Sequence, residues 1–151
     1  MTEPAGRRPL VVGVGNSLRR DDGAGPHVAR ALARRGWETR ELPGDGAELL
    51  DLFDGRDAVV VVDALASGAA PGTVTRIDAA QTPLPPGRFR GSSHLFGLAE
   101  AVETARALGR LPESLVVYGI EGADFAFGEG LTDAVAAGCD RAIARILTDH
   151  G

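Results

Sequence analysis

Apolar runs that alternate with amphipathic stretches organise this chain. Residues 9–15 form a continuously apolar run that stops at glycines, and residues 58–62 form a second run that contains four consecutive valines. Unbroken apolar runs of this length are typical of strands buried on both faces of a parallel sheet. The valine run is the clearest central strand, and we expect it to end abruptly at Asp63. Further strands are predicted at residues 37–42, 73–78 and 115–120.

Helical periodicity fills the segments between these strands. Residues 24–36 place Val28 and Leu32 on one helical face, and Gly36 is a suitable C-terminal stop. Strands that alternate with helices predict an α/β fold, a three-layer αβα sandwich with a mainly parallel five-stranded sheet. The other predicted helices are a short one through Leu49, Leu50 and Leu52, one that begins near His94 with Leu95, Leu98, Val102 and Ala105 on its apolar face, and a last one over residues 131–147.

Domain organisation follows from length and composition. A chain of 151 residues with 44% hydrophobic residues fits one compact domain. We expect a flexible N-terminus over residues 1–8 and a single α/β domain over residues 9–151. Residues 79–91 are predicted to be a long irregular connection, of the kind that is usually functional or mobile. No apolar segment has the length of a signal core or a membrane span, so we expect a protein that does not engage a membrane.

Charge and residue usage exclude several functions. The net charge is -5, and all 16 basic residues are scattered arginines, so nucleic acid is not an expected partner. The absence of lysine excludes a P-loop lysine, a Schiff-base lysine and a Ser-Lys dyad. The single cysteine, Cys139, is in helical register with Val135 and Ile143, which predicts a small buried apolar residue and not a thiol nucleophile. A single cysteine also fits a reducing cytoplasm.

The loop after the first strand carries the first candidate chemistry. Gly13 and Gly15 suggest a dinucleotide-binding turn, but the third glycine of that fingerprint would fall at Leu18. Asp21 and Asp22 also disfavour a phosphate cradle, because a helix N-terminus that binds an anion would not carry two carboxylates. The carboxylates suit a cation or a proton-transfer role instead. The alternative is that one of them is simply the N-cap of the following helix.

Three polar residues are expected to converge at the carboxyl ends of the strands, where ligands bind in such sheets. These are Asp22 after the first strand, Asp63 after the valine run and His94 at the first turn of its helix. The positive end of the helix dipole would keep His94 neutral and able to bind a metal or accept a proton. Two carboxylates and an imidazole form an O,O,N ligand set that accepts several divalent ions. The alternatives are a capping role or an Asx turn for Asp63, and for His94 a capping or packing role beside Ser92 and Ser93. His27 and His150 receive no role.

Three segments that contain these residues resemble the hydrogenase maturation proteases, the endopeptidases that trim the C-terminal extension from the large subunit of nickel–iron hydrogenases. Residues 13–25 (GVGNSLRRDDGAG) are similar to the opening motif of the family. Residues 60–64 (VVVDA) are similar to its second acidic motif, and residues 93–98 (SHLFGL) to its histidine motif. The order and approximate separation of the three motifs agree, and the likeness covers nearly the whole chain after Arg8.

The resemblance implies that Asp22, Asp63 and His94 together engage a metal and carry the catalysis. It further implies that the metal is nickel already seated in the large-subunit precursor, so that the cofactor is supplied by the substrate. We therefore expect cytoplasmic, metal-gated peptide hydrolysis: the metal polarises the scissile carbonyl or activates a water, and a carboxylate or His94 acts as general base.

Other mechanisms and functions stay open at this point. Asp22 and Asp63 are also compatible with a metal-independent, aspartic-protease-like pair that shares one proton. A triad built from Ser92 or Ser93 is a further enzymatic alternative. Outside catalysis, the chain is compatible with a nickel-sensing chaperone that binds the large subunit without cutting it, or with a nucleotide-binding module.

Overall fold

A five-stranded sheet forms the middle layer of the computed structural model, which describes residues 8–90 and 96–151. The strand order is β2-β1-β3-β5-β4; the edge strand β4 runs antiparallel to β5, and the other neighbouring strands are parallel. The predicted mainly parallel α/β architecture is therefore confirmed. The strands are β1 (Leu10–Val14), β2 (Thr39–Leu42), β3 (Ala58–Leu65), β4 (Val74–Asp78) and β5 (Ser114–Glu121).

Helices cover both faces of the sheet. One hydrophobic cluster joins the sheet to α2 and α3, and a second joins it to α1 and α4. A short 3₁₀ helix (Arg20–Gly23) connects β1 to α1. In the described part of the chain no helix is both long and apolar enough to cross a membrane. The α-helices are α1 (Ala24–Ala33), α2 (Gly46–Phe53), α3 (Leu98–Ala107) and α4 (Asp133–His150).

Alternate side chains of the central strands enter different cores. Val12 of β1 and Val61 of β3 belong to the cluster under α2 and α3, whereas Val11 and Val60 belong to the cluster under α1 and α4. Both faces of β1 and β3 are therefore removed from water, which explains why their sequences are continuously apolar and do not alternate.

Glycine allows α1 to pack directly on the strands. A Cβ atom at Gly25 would lie 2.4 Å from the carbonyl oxygen of Val62 and 2.5 Å from that of Val14. A Cβ atom at Gly13 would lie 2.4 Å from the carbonyl oxygen of Gly25. All three distances are too short for a side chain, so this crossing of α1 over β1 and β3 requires glycine at both positions.

Several predicted boundaries are wrong. The valine strand does not end at Asp63: β3 continues to Leu65, because Asp63 and Leu65 stay paired with Gly119 and Glu121 of β5. The helix expected to begin near His94 begins at Leu98. The first helix ends at Ala33, but Gly36 is a stop as predicted, since its φ is +89° and the following N–H bonds back to Leu32. Most of the predicted flexible N-terminus lies outside the described residues.

We expect Gly25→Ala to destabilise the fold by on the order of 3 kcal/mol or more, because the added methyl group overlaps two strand carbonyls. Gly36→Ala is the matched control: its Cβ would meet nothing within 4 Å, so only the strain of a positive φ remains, about 1–2 kcal/mol. Urea unfolding of both variants measures the difference. Equal losses would show that close packing at Gly25 contributes nothing specific.

Candidate active site

Loops from three neighbouring strands meet at the carboxyl edge of the sheet. The segment after β1 bonds to the segment after β5 through the N–H of Asp21, which donates to the carbonyl of Asp124 at 3.0 Å. The N–H of Gly122, just after β5, donates to the carbonyl of Leu65 at the end of β3. This edge of a parallel sheet is where α/β proteins bind ligands.

Asp22 lies in the 3₁₀ helix at this edge, with about a tenth of its surface exposed. Its Oδ2 accepts a hydrogen bond from the N–H of Asn16 at 3.0 Å, which fixes the carboxylate relative to the turn after β1. Its Oδ1 lies 3.5 Å from Nε of Arg90. One oxygen is thus held by the backbone, and the other faces a cation.

Arg90 is part of the site although sequence reasoning gave it no role. Its guanidinium lies 4.2 Å from the centre of the Phe125 ring, and its Nε is buried without a hydrogen-bond partner among the described residues. The 3.5 Å approach to Asp22 is therefore an electrostatic contact and not a full hydrogen bond. Nothing in the local sequence distinguishes Arg90 from the nearby Arg88 as a partner of Asp22.

Asp63 is fully buried in β3 and does not stand at a free strand end. Its Oδ1 accepts a hydrogen bond from the N–H of Ala64 at 2.8 Å. The 3₁₀ helix that carries Asp22 contacts β3, so the two elements that carry these acidic residues meet at the carboxyl edge.

The third predicted ligand, His94, lies outside the described residues. Among residues 8–90 and 96–151, no three His, Cys, Asp or Glu side chains are grouped closely enough to hold a metal ion. The O,O,N ligand set therefore stays a prediction. The prediction that His94 stands in the first turn of its helix is wrong, because α3 begins at Leu98, four positions after His94.

Asp21 has a different role from its neighbour. It is fully buried, and its carboxylate accepts from the N–H groups of Ala123, Asp124 and Thr132 at 2.8–2.9 Å and from the Thr132 hydroxyl. Burial alone would raise the pKa of Asp21, but the hydrogen bonds from Thr132, Ala123 and Asp124 outweigh it and lower this pKa below its ordinary value. Asp21 therefore anchors the loop between β5 and α4.

The predicted N-cap alternative is wrong for both aspartates. The residue that precedes α1 is Gly23, and no side chain caps that helix; the 3₁₀ helix begins after Arg19, also without a side-chain cap. Asp21 instead accepts hydrogen bonds from a loop about a hundred residues away in sequence, and Asp22 accepts one from the turn after β1.

Glu121, at the end of β5, is a second buried carboxylate that the sequence reasoning missed. It accepts from the N–H and hydroxyl of Ser67, at 2.9 and 2.6 Å, and from the N–H of Gly68. It therefore fixes the loop after β3 as Asp21 fixes the loop after β5. The available signal was an acidic residue that ends an apolar run, the same signal that singled out Asp63.

The remaining reactive side chains lie apart from this edge or are inert. Cys139 is buried in α4 as predicted, and burial raises the pKa of its thiol to about 12. His27 is exposed on α1. His150 is not in a free tail: it ends α4, with Nε2 3.0 Å from the hydroxyl of Tyr118, and burial lowers its pKa.

Fold and site together define an α/β protein with acidic residues collected at the carboxyl edge of a mainly parallel sheet. The family model for hydrogenase maturation proteases matches residues 27–149 of the chain. The chain belongs to the hydrogenase maturation protease family, whose members are peptidases, and therefore hydrolases.

Individual relatives agree with this assignment. The Hydrogenase 2 maturation protease of Escherichia coli is 31% identical over 93% of this chain and 88% of its own length. The hydrogenase expression/formation protein HupD of Rhodobacter capsulatus is 30% identical over 94% of this chain and 70% of its own length. The solved structure of the hydrogenase maturating endopeptidase HybD of E. coli superimposes with a TM-score of 0.79 at 26% identity, covering 95% of this chain and 91% of that one.

We expect Asp21→Asn to destabilise the protein by about 3 kcal/mol at pH 7, because the amide places an NH₂ group among donors that need an acceptor. The folded-state pKa of Asp21 lies below the ordinary 3.8, so its ionised form stabilises the fold above that value and loses this effect as pH falls through the lowered pKa. The difference between wild type and variant should therefore shrink below about pH 4.

Denaturant unfolding between pH 7 and pH 3 measures this difference. The control is Asp51→Asn on the exposed side of α2, which should change stability by less than about 0.5 kcal/mol at every pH. A difference for Asp21→Asn that did not depend on pH would contradict the assigned role.

Cys139 gives a second prediction. Because the thiol is buried and its pKa is raised to about 12, it should react with a thiol reagent only when the protein unfolds. Cys139→Ala should keep full peptidase activity. Rapid modification of the native protein, or loss of activity in Cys139→Ala without loss of stability, would contradict a purely structural role.

Proposed function

We propose that this protein is the endopeptidase that removes the C-terminal extension of a nickel–iron hydrogenase large-subunit precursor, and that it recognises nickel already inserted in that precursor. The observation that carries the proposal is the pair of carboxylates, Asp22 and Asp63, at the carboxyl edge of a sheet whose family consists of maturation proteases. Nickel is then part of the substrate and not a resident cofactor of the protease.

The surroundings of Asp22 fit a residue that exchanges one cation for another. Its Oδ2 is held by the N–H of Asn16, whereas its Oδ1 is only loosely paired with Arg90 at 3.5 Å. A divalent ion on the substrate has twice the charge of the guanidinium and accepts carboxylate oxygen as a ligand. Binding of the nickel-loaded precursor would therefore displace Arg90 from Asp22 without disturbing the bond from Asn16.

Asp63 and His94 complete the proposed ligand set. The N–H of Ala64 orients the carboxylate of Asp63 within a rigid strand; because this carboxylate is fully buried, the substrate metal would reach it only when the residues that cover it move. His94 would supply the imidazole nitrogen. Three ligands fixed on the protease would place the scissile peptide bond beside them, which is the positioning component of catalysis.

Peptide hydrolysis then needs a water molecule and an acceptor for its proton. The metal on the substrate can polarise the scissile carbonyl or lower the pKa of a bound water, and each effect lowers the activation barrier by several kcal/mol. A carboxylate of Asp22 or Asp63, or the imidazole of His94, accepts the proton and returns it to the leaving amine. We also place this activity in the cytoplasm, since the single cysteine is a buried free thiol.

We expect Asp22→Ala, Asp63→Ala and His94→Ala each to lower cleavage of the nickel-loaded precursor by at least about a thousandfold, because each removes a ligand of the substrate metal. His27→Ala and Asp51→Ala are the matched controls: both residues are exposed on helices, and their loss should leave the rate unchanged. Mass spectrometry of the precursor after incubation measures loss of the C-terminal peptide.

The same assay with nickel-free precursor separates the mechanisms. The proposal predicts no cleavage of the nickel-free form by wild type. Cleavage at an equal rate with and without nickel would identify a metal-independent aspartic pair instead. An intact precursor in a stable complex with wild type would identify a binding protein that does not cut.

A further inference from the structure

We propose that a two-loop surface beside Asp22 is the docking platform for the polypeptide segment of the precursor next to its scissile bond. The platform consists of Leu18 and Arg19 in the loop after β1 and Phe127 and Gly128 in the loop after β5. This inference rests on the proposed function, because it takes the substrate to be a polypeptide. Its occupant is an extended segment that presents an apolar side chain to Leu18 and Phe127.

Exposure of large apolar side chains singles out this surface. Phe127 is 74% exposed and Leu18 is 59% exposed. The other large apolar side chains that stand out as exposed in the described part of the chain are Phe96 at 37% and Leu108 at 60%. Leu18 and Phe127 lie on separate loops that meet, so their exposed apolar surface is combined at one place, and exposed apolar surface of this kind can bind a partner.

Backbone hydrogen bonds hold the two loops together. The N–H of Gly128 donates to the carbonyl of Leu18 at 2.8 Å, and the N–H of Arg20 donates to the carbonyl of Gly128 at 2.9 Å. These bonds form a β-bridge between Arg19 and Gly128. The exposed side chains therefore project from a fixed backbone, and little conformational entropy is lost when a ligand binds them.

Arg19 stacks on the face of the aromatic ring of Phe127. Its guanidinium lies 4.0 Å from the centre of the Phe127 ring, and its Nη1 donates to the carbonyl of Phe125 at 3.5 Å. The contact orients the ring, and the charge favours an acidic side chain in the bound segment. Arg19 is the one charged side chain among the four residues of the platform.

The platform is adjacent to the site. Arg19 precedes Asp22 by three residues, so their Cα atoms are separated by at most about 11 Å. The carbonyl of Arg19 also accepts from the N–H of Asp22 at 3.0 Å. A segment that lies on the platform would reach the carboxylate within about three residues of its own length.

The size of the surface favours a peptide over a second copy of this chain. A stable dimer buries about 800 Å² on each partner, far more than two side chains offer, and like net charges oppose self-association. An extended segment of a few residues needs only the area that Leu18, Phe127 and the stacked Arg19 provide.

Steady-state cleavage of nickel-loaded precursor tests the platform with four variants. Phe127→Ser and Leu18→Ser should each raise KM by roughly tenfold with kcat changed less than about twofold, since they remove apolar contact and leave the reacting groups in place. Phe127→Leu should retain most of the wild-type KM. Leu108→Ser is the matched control, because Leu108 is as exposed as Leu18 but lies where the chain leads into the start of β5, at the opposite edge of the sheet; it should behave as wild type.

A binding measurement tests the platform without requiring the precursor to be cleaved. Calorimetric titration with nickel-free precursor should show affinity weakened roughly tenfold for Phe127→Ser and unchanged for Leu108→Ser.

If wild type cuts the precursor but Phe127→Ser matches it in KM and affinity, the platform is wrong and the proposed function stands. If wild type does not cut but the affinity difference is found, the proposed activity fails and the platform stands. A wild-type dimer in sedimentation that Phe127→Ser dissolves would assign this surface to self-association and overturn the proposal.

Discussion

The arrangement of the site depends on the buried carboxylate of Asp21. It collects N–H groups from the loop after β5 and from the first residues before α4, and it belongs to the same 3₁₀ helix as Asp22. A buried ionised carboxylate is costly unless hydrogen bonds replace its water, and here four donors do so. The same bonds that stabilise the charge therefore fix the loop after β5 against the residue proposed to bind the substrate metal.

Two adjacent aspartates consequently serve opposite purposes. The oxygens of Asp21 are occupied by donors from the rest of the fold, so this residue has no capacity left for a ligand. Asp22 receives one backbone N–H, and its other oxygen faces an arginine at a distance that is long for a charged hydrogen bond. The direction of the 3₁₀ helix, which turns one carboxylate inward and the next toward the edge, makes this difference.

The local pattern of the sequence was sufficient for the fold and for part of the site. Continuous apolar runs identified β1 and β3 because both strands are buried on two faces, and the helical register of Cys139 identified a buried position in α4. It failed for features that depend on distant partners. Asp21 and Thr132 are 111 positions apart, and Ser67 and Glu121 are 54 positions apart, so no local sequence pattern predicts either contact. The end of β3 was misplaced for the same reason, since pairing with β5 extends the strand through Asp63.

The carboxyl edge of the sheet thus separates structural from exchangeable interactions. Asp21 and Glu121 fix two loops, and the donors that the structure gives them are backbone N–H groups and hydroxyls, which are not exchanged when a ligand binds. Arg90 neutralises Asp22 through a contact that lacks hydrogen-bond geometry, while its flat face rests on Phe125 of an anchored loop. The stacking of Arg90 on Phe125 does not depend on Asp22. Under the proposed function, the guanidinium could therefore move away from the carboxylate and remain stacked on the Phe125 ring. Arg90 therefore offsets the charge of Asp22 in this structure, and under the proposed function the substrate metal would replace Arg90 while the loops that form the site stay in place.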